Sequence, residues 1–480
     1  MPVVIPVRLT NRWAKFLCSP ETQVLLKSYF RYHPPDYEHT DSFRAETWDG
    51  YAHLMRWGRV ASGLFLYRLA ALQKRGWCFR IQDRRGFPSV MPGVKSSPEV
   101  RPYQEQAVQA MLHASNVGGI VLNATGSGKT RLTGEYFRRV AAVCVFVVDE
   151  LTLLEQARRE LTKVTREDIG VIGDSEFAPK RITVATIQSL SKLDKHPELK
   201  SWIKLLEVVV LDELHVALNE RSFDAIQALK PKAVFGLTAT LEIDKPHIGY
   251  PARALAGPVI FRYPLSQGVR EGYLSPGVST VVKIRGYQAS FAMKYDQVYK
   301  ALIIRNPTRN ACIRALVIEG LRRGRRVIVV CESLEHLATL SRQLAKYPHR
   351  VLSGKVSSRT DRFAAKEAMD AGKLKLLLVS RIFGKGVDIA TVDTIIDATA
   401  SLDASTVVQR YGRGTRKSKD KHGLLHFDIH DTGNSFEKAA QAREAALRAA
   451  RIPVVEVCWG EDATAQEIYE QALSKLEEVL

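Results

Sequence analysis

Two stretches of the chain alternate short β-branched runs with helical patterns, and this alternation restricts its possible folds more than any other feature. In the first stretch the apolar runs are residues 119–122, 143–148, 181–184, 208–211 and 233–235. Between two of these runs, Leu154, Ala157, Leu161 and Val164 follow the helical period. Strands that alternate with helices indicate βαβ units around a buried parallel sheet. The sequence therefore predicts an α/β protein.

The same rhythm returns later in the chain and predicts a second α/β lobe. Its apolar runs are residues 326–330, 374–379, 394–396 and 424–427, and a stretch rich in Gly and Pro, residues 257–276, precedes them. Residues 1–95 end in a cluster of Gly, Pro and Ser that indicates a linker. We therefore expect an accessory domain over 1–95, a first lobe over 96–262, a second lobe over 263–435, and a helical extension over 436–480.

The charge of the chain favours polyanionic partners. With 70 Lys and Arg against 51 Asp and Glu, the 480 residues carry a formal charge of +19. Nucleic acid is the first partner class that such an excess indicates, and an acidic membrane is the second. The longest apolar run is too short for a transmembrane helix, no secretion signal is evident, and the six cysteines form no CxxC pair. We expect a cytoplasmic protein.

A glycine-rich loop follows the first strand of the first lobe. Residues 124–130 read Ala-Thr-Gly-Ser-Gly-Lys-Thr, between an apolar run and a helical pattern. Strand, Gly-rich loop, Lys-Thr and helix form a phosphate cradle, in which Lys129 reaches the β- and γ-phosphates and Thr130 holds Mg²⁺. The strict pattern has Gly where this chain has Asn123. The competing interpretation is a plain turn between strand and helix.

An acidic pair ends a later strand of the same lobe. The apolar residues 206–211 lead into Asp212 and Glu213. Carboxylates at the carboxyl edge of a parallel sheet stand where such sheets bind ligands. Asp212 could hold Mg²⁺ and Glu213 could polarise an attacking water. Taken alone, the pair is more simply explained as an ordinary helix start, but its distance from the phosphate loop favours the ligand-binding interpretation.

A cationic helix is predicted in the second lobe. From Thr406 onward, Gln409, Gly412, Arg413 and Arg416 stand at positions i, i+3, i+4 and i+7 of a predicted helix, and therefore on one face. An arginine aimed at a γ-phosphate stabilises the charge of the transition state. The nearby lysines are more simply explained as solvated surface.

Taken in order, these segments resemble the motifs of superfamily-two helicases, in the DExH branch. The matching segments are residues 101–104, 126–130, 186–190, 212–215, 236–240, 384–388 and 409–416. This resemblance implies two tandem RecA-like parallel-sheet lobes, with ATP and Mg²⁺ as cofactors and a small N-terminal α+β domain. It also implies that the chain is a nucleic-acid-dependent ATPase.

The resemblance also implies individual roles. The residues expected to bind ATP are Arg101, Tyr103, Gln104, Thr125, Gly126, Ser127, Gly128, Lys129, Thr130, Gly386 and Asp388, with Gln104 on the adenine and Asp388 near the ribose. The residues expected to act in hydrolysis are Lys129, Asp212, Glu213, Gln409, Arg413 and Arg416. Of these, Arg413 and Arg416 are expected to serve as arginine fingers. Thr130 and Asp212 are expected to hold Mg²⁺. Coupling to nucleic acid is expected from His215, Thr238 and Thr240, and DNA contact from Thr186 and Gln188.

The first block is similar to the N-terminal domain of UvsW-type phage helicases, which are relatives of the XPB group. The similarity is carried by Phe43-Arg44, residues 48–51, Leu54 and Gly63-Leu64, and later by residues 268–274 and 305–310. We expect Arg44, Arg56 and Arg59 to contact DNA, and Trp48 and Trp57 to lie in the core of this domain.

The sequence thus predicts an ATP-dependent DNA helicase or translocase. The resemblance implies action on branched DNA by branch migration, fork regression, unwinding and annealing, with branched, duplex and single-stranded DNA as partners and a monomer as the working state. The alternatives are a restriction-type translocating motor, an RNA helicase, or a non-catalytic basic protein that binds duplex DNA.

Overall fold

The computed structural model describes residues 4–239, 241–285, 294–353, 357–380, 389–418, 421–460 and 463–479. Of these, the residues up to 123 together with 128–263 form one compact unit, and 124–127 together with those from 264 onward form the other. Each unit is built on its own large sheet. The predicted α/β class is confirmed.

The N-terminal part of the first unit is a small α+β structure. Its elements are β1 (Val4–Leu9), β2 (Trp13–Phe16), α1 (Pro20–Lys27), β3 (Arg31–Tyr32), α2 (Asp41–Arg44), β4 (Ala52–His53), β5 (Arg59–Ala61), α3 (Ser62–Lys74) and β6 (Cys78–Asp83). The main sheet has the order β5-β2-β1-β6. Alternate residues of β1, namely Ile5, Val7 and Leu9, are buried in one apolar cluster with residues of α3, whereas the opposite face of the strand carries Val4, Pro6 and the exposed Arg8.

This small sheet packs on the larger part of the same unit. Ala254 belongs to its apolar core. The Asn11 amide donates to the carbonyl oxygens of Gly86, Asn116 and Lys232 at 2.8, 2.9 and 2.9 Å. Because Asn116 and Lys232 are far from Asn11 along the chain, this one side chain links the small N-terminal sheet to the larger part of the unit.

The large sheet of the first unit follows in the chain. Its elements are α4 (Pro102–His113), β7 (Gly118–Asn123), α5 (Lys129–Arg138), β8 (Val143–Val148), α6 (Leu151–Thr165), β9 (Gly170–Gly173), β10 (Glu176–Ala178), β11 (Ile182–Thr186), α7 (Ile187–Leu190), α8 (Lys200–Leu205), β12 (Leu206–Asp212), α9 (Glu220–Ala228), β13 (Ala233–Thr238), α10 (Pro246–Ala256) and β14 (Val259–Tyr263). The order is β10-β9-β11-β8-β12-β13-β7-β14. All neighbours are parallel except β9 and β10.

This order places three functional strand ends side by side. Strand β13 lies between β12 and β7, with Asp212 opposite Leu237 and Thr238 opposite Leu122. Apolar clusters cover both faces of the sheet. The polar groups that follow β7, β12 and β13 therefore meet at one carboxyl edge, where open parallel sheets bind ligands.

The second unit has a seven-stranded parallel sheet. Its elements are α11 (Leu265–Arg270), β15 (Gly277–Arg285), α12 (Tyr295–Tyr299), α13 (Pro307–Arg322), β16 (Val327–Val330), α14 (Leu334–Gln343), β17 (Arg350–Leu352), α15 (Arg359–Asp370), β18 (Leu376–Val379), β19 (Thr394–Asp397), α16 (Ser405–Gly414), β20 (Leu424–Thr432), α17 (Glu437–Ala449), β21 (Val454–Cys458) and α18 (Ala465–Glu477). The order is β17-β18-β16-β19-β20-β15-β21.

Three details differ from the sequence-based expectations. The extension 436–480, expected to be helical, holds α17 and α18 but also β21, which adds a parallel edge strand beside β15. The stretch 257–276 holds β14 and α11. Trp48 is half-buried and donates to the Tyr51 carbonyl at 2.9 Å, whereas Trp57 is 89% exposed, so the core placement predicted for Trp57 is wrong.

Every helix among the described residues is too short or too polar to span a lipid bilayer.

Candidate active site

The loop after β7 has the backbone of a phosphate cradle. Gly126 and Gly128 have φ values of +83° and +77°, which glycine adopts at little cost. Gly128 is the N-cap of α5 and has no side chain to accept from the N–H groups of the first turn. These donors and the positive helix end suit an anionic ligand. Asn123, where the strict pattern has Gly, is buried.

A second helix packs beside Gly128. Gln104 on α4 is buried, and a Cβ atom on Gly128 would lie 2.7 Å from its Nε2. The Gln104 Oε1 accepts from the backbone N–H of Arg101 at 3.1 Å, and Arg101 Nη1 donates to the Tyr103 hydroxyl at 3.1 Å. These three residues, all predicted to bind ATP, are thus clustered at the end of the phosphate loop.

The acidic pair meets the loop lysine. Strand β12 ends at Asp212, and Glu213 has φ of +52°, a left-handed conformation that costs a non-glycine residue energy. In that conformation Glu213 Oε1 accepts from Lys129 Nζ at 2.9 Å. His215 Nδ1 lies 3.6 Å from the other Glu213 oxygen. Residues 84 positions apart, both mostly buried, are therefore in direct contact.

The residues present fit ATP with Mg²⁺. Lys129, Thr130 and the first-turn N–H groups of α5 would hold the phosphates, while Thr130 and Asp212 would hold the cation, in part through water. No group of three or more His, Cys, Asp or Glu side chains in the described ranges is placed to bind a metal ion. When bound, the nucleotide would supply the transferable phosphoryl group.

A buried arginine holds the two site helices together, and the sequence reasoning missed it. Arg139, just after α5, donates to both carboxylate oxygens of Glu105 on α4 at 2.8 and 2.6 Å, to Glu135 at 3.0 Å and to the Ser96 hydroxyl at 2.8 Å. Its hydrogen bonds to Glu105 lower the pKa of that carboxyl to about 2. The i, i+4 spacing of Glu135 and Arg139 was the available signal.

Of the predicted coupling residues, Thr238 ends β13, is fully buried, and lies beside Leu122 in register. Thr240, Gly386 and Asp388 lie outside the described residues.

In the second unit, the cationic helix is shorter than predicted. Helix α16 ends at Gly414, so Arg416 does not share the helical face with Gln409 and Arg413. It forms instead a backbone bridge with Leu274, because the chain becomes extended after Thr415. Burial lowers the pKa of Arg416 to about 10, which leaves the guanidinium charged at neutral pH.

Arg410, which the motif did not single out, fixes the orientation of α16. It is buried, and its Nη1 donates to Asp397 at 2.6 Å and to the Thr399 hydroxyl at 2.8 Å. Asp397 is the last residue of β19. A buried and satisfied ion pair therefore ties α16 to the sheet, and Gln409 and Arg413 are carried on the turns around it.

The residues predicted to contact DNA have different surroundings. Arg56 and Arg59 are exposed. Arg44 lines a shallow groove of about 500 Å³ that also holds three carboxylates. Gln188 is exposed and donates to the Asp149 carbonyl at 3.0 Å, whereas Thr186 is buried and its hydroxyl caps α7. In this structure the Thr186 hydroxyl therefore forms its hydrogen bond within the protein, as the N-cap of α7.

Two protein-family models match the chain. They are described as "Type III restriction enzyme, res subunit", over residues 97–243, and "Helicase conserved C-terminal domain", over residues 308–418. Among similar proteins is the DNA 3'-5' translocase XPB2 of Sulfurisphaera tokodaii, which is 26% identical over 377 residues, or 70% of this chain and 82% of that protein.

Solved structures with the same fold include a DNA-bound restriction enzyme. LlaBIII, an ATP-dependent Type ISP restriction-modification enzyme bound to DNA, aligns with a TM-score of 0.56 at 16% identity, over 80% of this chain and 33% of its own. The structure of T4 UvsW aligns over 95% of this chain and 99% of its own, at 16% identity and a TM-score of 0.45. The likeness to LlaBIII shows the predicted fold of two RecA-like lobes.

Proposed function

The chain belongs to the superfamily-two helicases, as a nucleic-acid-dependent ATPase of the DNA helicase and translocase type, and we propose that it uses ATP to remodel branched DNA. The observation that carries the proposal is the contact between Lys129 and Glu213 at 2.9 Å. A phosphate-binding cation and a carboxylate able to orient water stand at one sheet edge, as phosphoryl transfer to water requires.

Each residue of this edge has a proposed task. Lys129 and the first-turn N–H groups of α5 bind the phosphates, and Glu213, released from Lys129 by the bound anion, orients the attacking water. His215 Nδ1 lies 3.6 Å from a Glu213 oxygen. We propose that His215 influences the orientation of the Glu213 carboxylate and thereby couples hydrolysis to DNA. Arg413 and Arg416 are proposed as arginine fingers, and Gln104 as the adenine contact.

Branched DNA as the preferred substrate is supported by the accessory domain. Its outer sheet face carries the exposed Arg8 and Arg59 with the half-buried Lys15 between them, and Asn11 joins this sheet to the part of the unit that carries the nucleotide site. A domain that binds duplex arms and is attached to the ATPase lobe would suit an enzyme that moves a DNA junction. The working state as a monomer and the cytoplasmic location remain predictions.

The matched family model and the DNA-bound restriction enzyme favour a second candidate, a motor that tracks along duplex DNA without separating strands. Strand displacement on forks, four-way junctions, RNA–DNA hybrids and blunt duplexes, together with displacement of a triplex-forming strand from linear duplex, distinguishes the two. Branch remodelling predicts ATP-dependent conversion of forks and junctions. Triplex displacement with intact junctions would favour the duplex motor.

The Lys129→Ala variant is the control for both assays. It removes the phosphate-binding cation, so it should lose ATP hydrolysis with and without DNA. Hydrolysis at the wild-type rate in this variant would refute the assigned nucleotide site. A wild-type protein that binds duplex DNA but hydrolyses no ATP would instead support the non-catalytic alternative.

A further inference from the structure

A tight turn at the edge of the accessory sheet presents a tryptophan to solvent. Arg56 and Arg59 exchange two backbone hydrogen bonds, each 2.9 Å long, so that Trp57 and Gly58 form a two-residue hairpin loop. Both loop residues have positive φ, +50° and +67°, as in type I′ turns. The Gly58 carbonyl accepts from the Phe16 N–H at 2.9 Å, which anchors the turn to the end of β2.

The position of Trp57 is energetically unfavourable, and no packing contact with the described residues compensates for it. A bulky residue at positive φ is strained, and a tryptophan that is 89% exposed buries almost no surface. Gly58 fits its position, because glycine adopts a φ of +67° at little cost and a Cβ there would lie 2.9 Å from Gln23 Oε1, so that the Gln23 side chain would have to shift. No such packing requirement applies to Trp57, so its exposed ring is better explained by a ligand.

A row of cations leads to this turn. Arg8 lies opposite Lys15, Lys15 opposite Arg59, and Arg59 opposite Arg56, in successive strand pairings. Directly opposite residues share a face, and like charges in such pairs destabilise a sheet. Within the described part of the chain, none of the four forms an ion pair. We name Arg8, Lys15, Arg59 and Arg56 the basic row.

We propose that the basic row binds the phosphates of a DNA arm and that the Trp57 ring stacks on the base exposed where that arm ends at a branch point. This inference rests on the proposed function and adds the contact that would distinguish a junction from continuous duplex. Every base offers a flat face to an aromatic ring, so the contact is independent of sequence. Cations beside an exposed aromatic side chain suit single bases next to phosphates better than they suit an apolar protein surface.

The test measures binding of the full chain, without nucleotide, to a four-way junction that carries 2-aminopurine at the branch point. The wild-type protein should change the fluorescence of that base and leave the same probe in mid-duplex unchanged. Trp57→Ala should abolish the change and weaken junction binding between about 5- and 150-fold, the range that stacking on one base provides. Trp57→Phe should retain part of both. Phe363→Ala, which removes another exposed aromatic ring in the second unit, is the matched control.

Two further variants distinguish the contribution of the Trp57 ring from that of the basic row and from a loss of folding stability. Arg8→Ser with Arg59→Ser should make the slope of log K against log[salt] less negative by about 1.8, because each phosphate that an arginine neutralises contributes about −0.9, whereas Trp57→Ala should not change that slope. Trp57→Gly relieves the positive φ, so its melting temperature should equal or exceed that of the wild-type protein while junction binding is still weakened.

The inference and the proposed function can fail separately. Unchanged junction affinity and fluorescence in Trp57→Ala would refute the stacking contact even if the wild-type protein remodels junctions. A wild-type protein that binds the labelled junction with the expected fluorescence change but does not convert it with ATP would refute only the remodelling activity.

Discussion

Replacement of Arg139 by Met tests whether the buried ion-pair cluster positions the nucleotide site. Methionine keeps the aliphatic volume but removes four hydrogen bonds, two to Glu105, one to Glu135 and one to Ser96. Glu135 is fully buried, although Arg138 at 2.8 Å and the Ser97 N–H at 3.1 Å still bind it.

The expected loss is about 3 kcal/mol in local stability. Breaking a buried pair costs about 3–5 kcal/mol, and the remaining partners of Glu135 place this case at the lower end. Local opening of α4 and α5 should therefore become about 100-fold more frequent. Because α4 carries Gln104 against Gly128, we also expect a higher KM for ATP.

Hydrogen exchange of the α4 and α5 amides in the full chain measures this opening without assuming two-state unfolding. Arg159→Met is the matched control, because Arg159 also pairs with a Glu at i−4 but is 72% exposed, and exposed helix pairs contribute only about 0.3–0.5 kcal/mol. Exchange in Arg139→Met that equals exchange in the control would refute the reasoning.

The same variant has a pH signature. Hydrogen bonds from Arg139 depress the pKa of Glu105 to about 2 from the ordinary 4.5, so this carboxylate stabilises the folded state above pH 4.5. That stability is lost as the pH falls from 4.5 towards 2. Arg139→Met should therefore lose less melting temperature over this window than the wild-type protein, and an identical loss would contradict the assignment.

Three further predictions concern the site and the domain contact. Glu213→Gln should bind nucleotide normally but lower kcat by about 10²–10⁴-fold, because an amide cannot polarise water; near-normal steady-state turnover would exclude the role. Arg413→Ala and Arg416→Ala should each reduce ATP hydrolysis by about 10³-fold or more while most DNA affinity remains, and the reverse pattern would assign that arginine to the DNA track. Asn11→Ala should destabilise the contact between accessory domain and first lobe by about 2 kcal/mol, seen as faster hydrogen exchange in β1 and β2, and unchanged exchange would show that apolar packing alone holds the domain.

The sequence by itself determined the features that depend on neighbours along the chain. Alternating apolar runs and helical periods indicate two buried parallel sheets, because the pattern of each element follows from which of its own faces are buried. The glycines of the phosphate loop and the carboxylates at the end of β12 are equally local, since backbone conformation and the end of a strand are set within a few residues. The fold class and the position of Asp212 and Glu213 could therefore be predicted.

Only the tertiary structure decided which distant groups meet and which remain in water. Lys129 contacts Glu213, 84 positions away, and Arg139 binds Glu105, 34 positions away. Both contacts depend on the order of the strands and the packing of the helices. Trp57 has a large apolar side chain of the kind that usually lies in a core, yet the two-residue turn exposes it to solvent. Edge strand β21 likewise has too short a pattern to be distinguished from a helix. Burial is a property of what packs over a residue, and the chain specifies that only after it has folded.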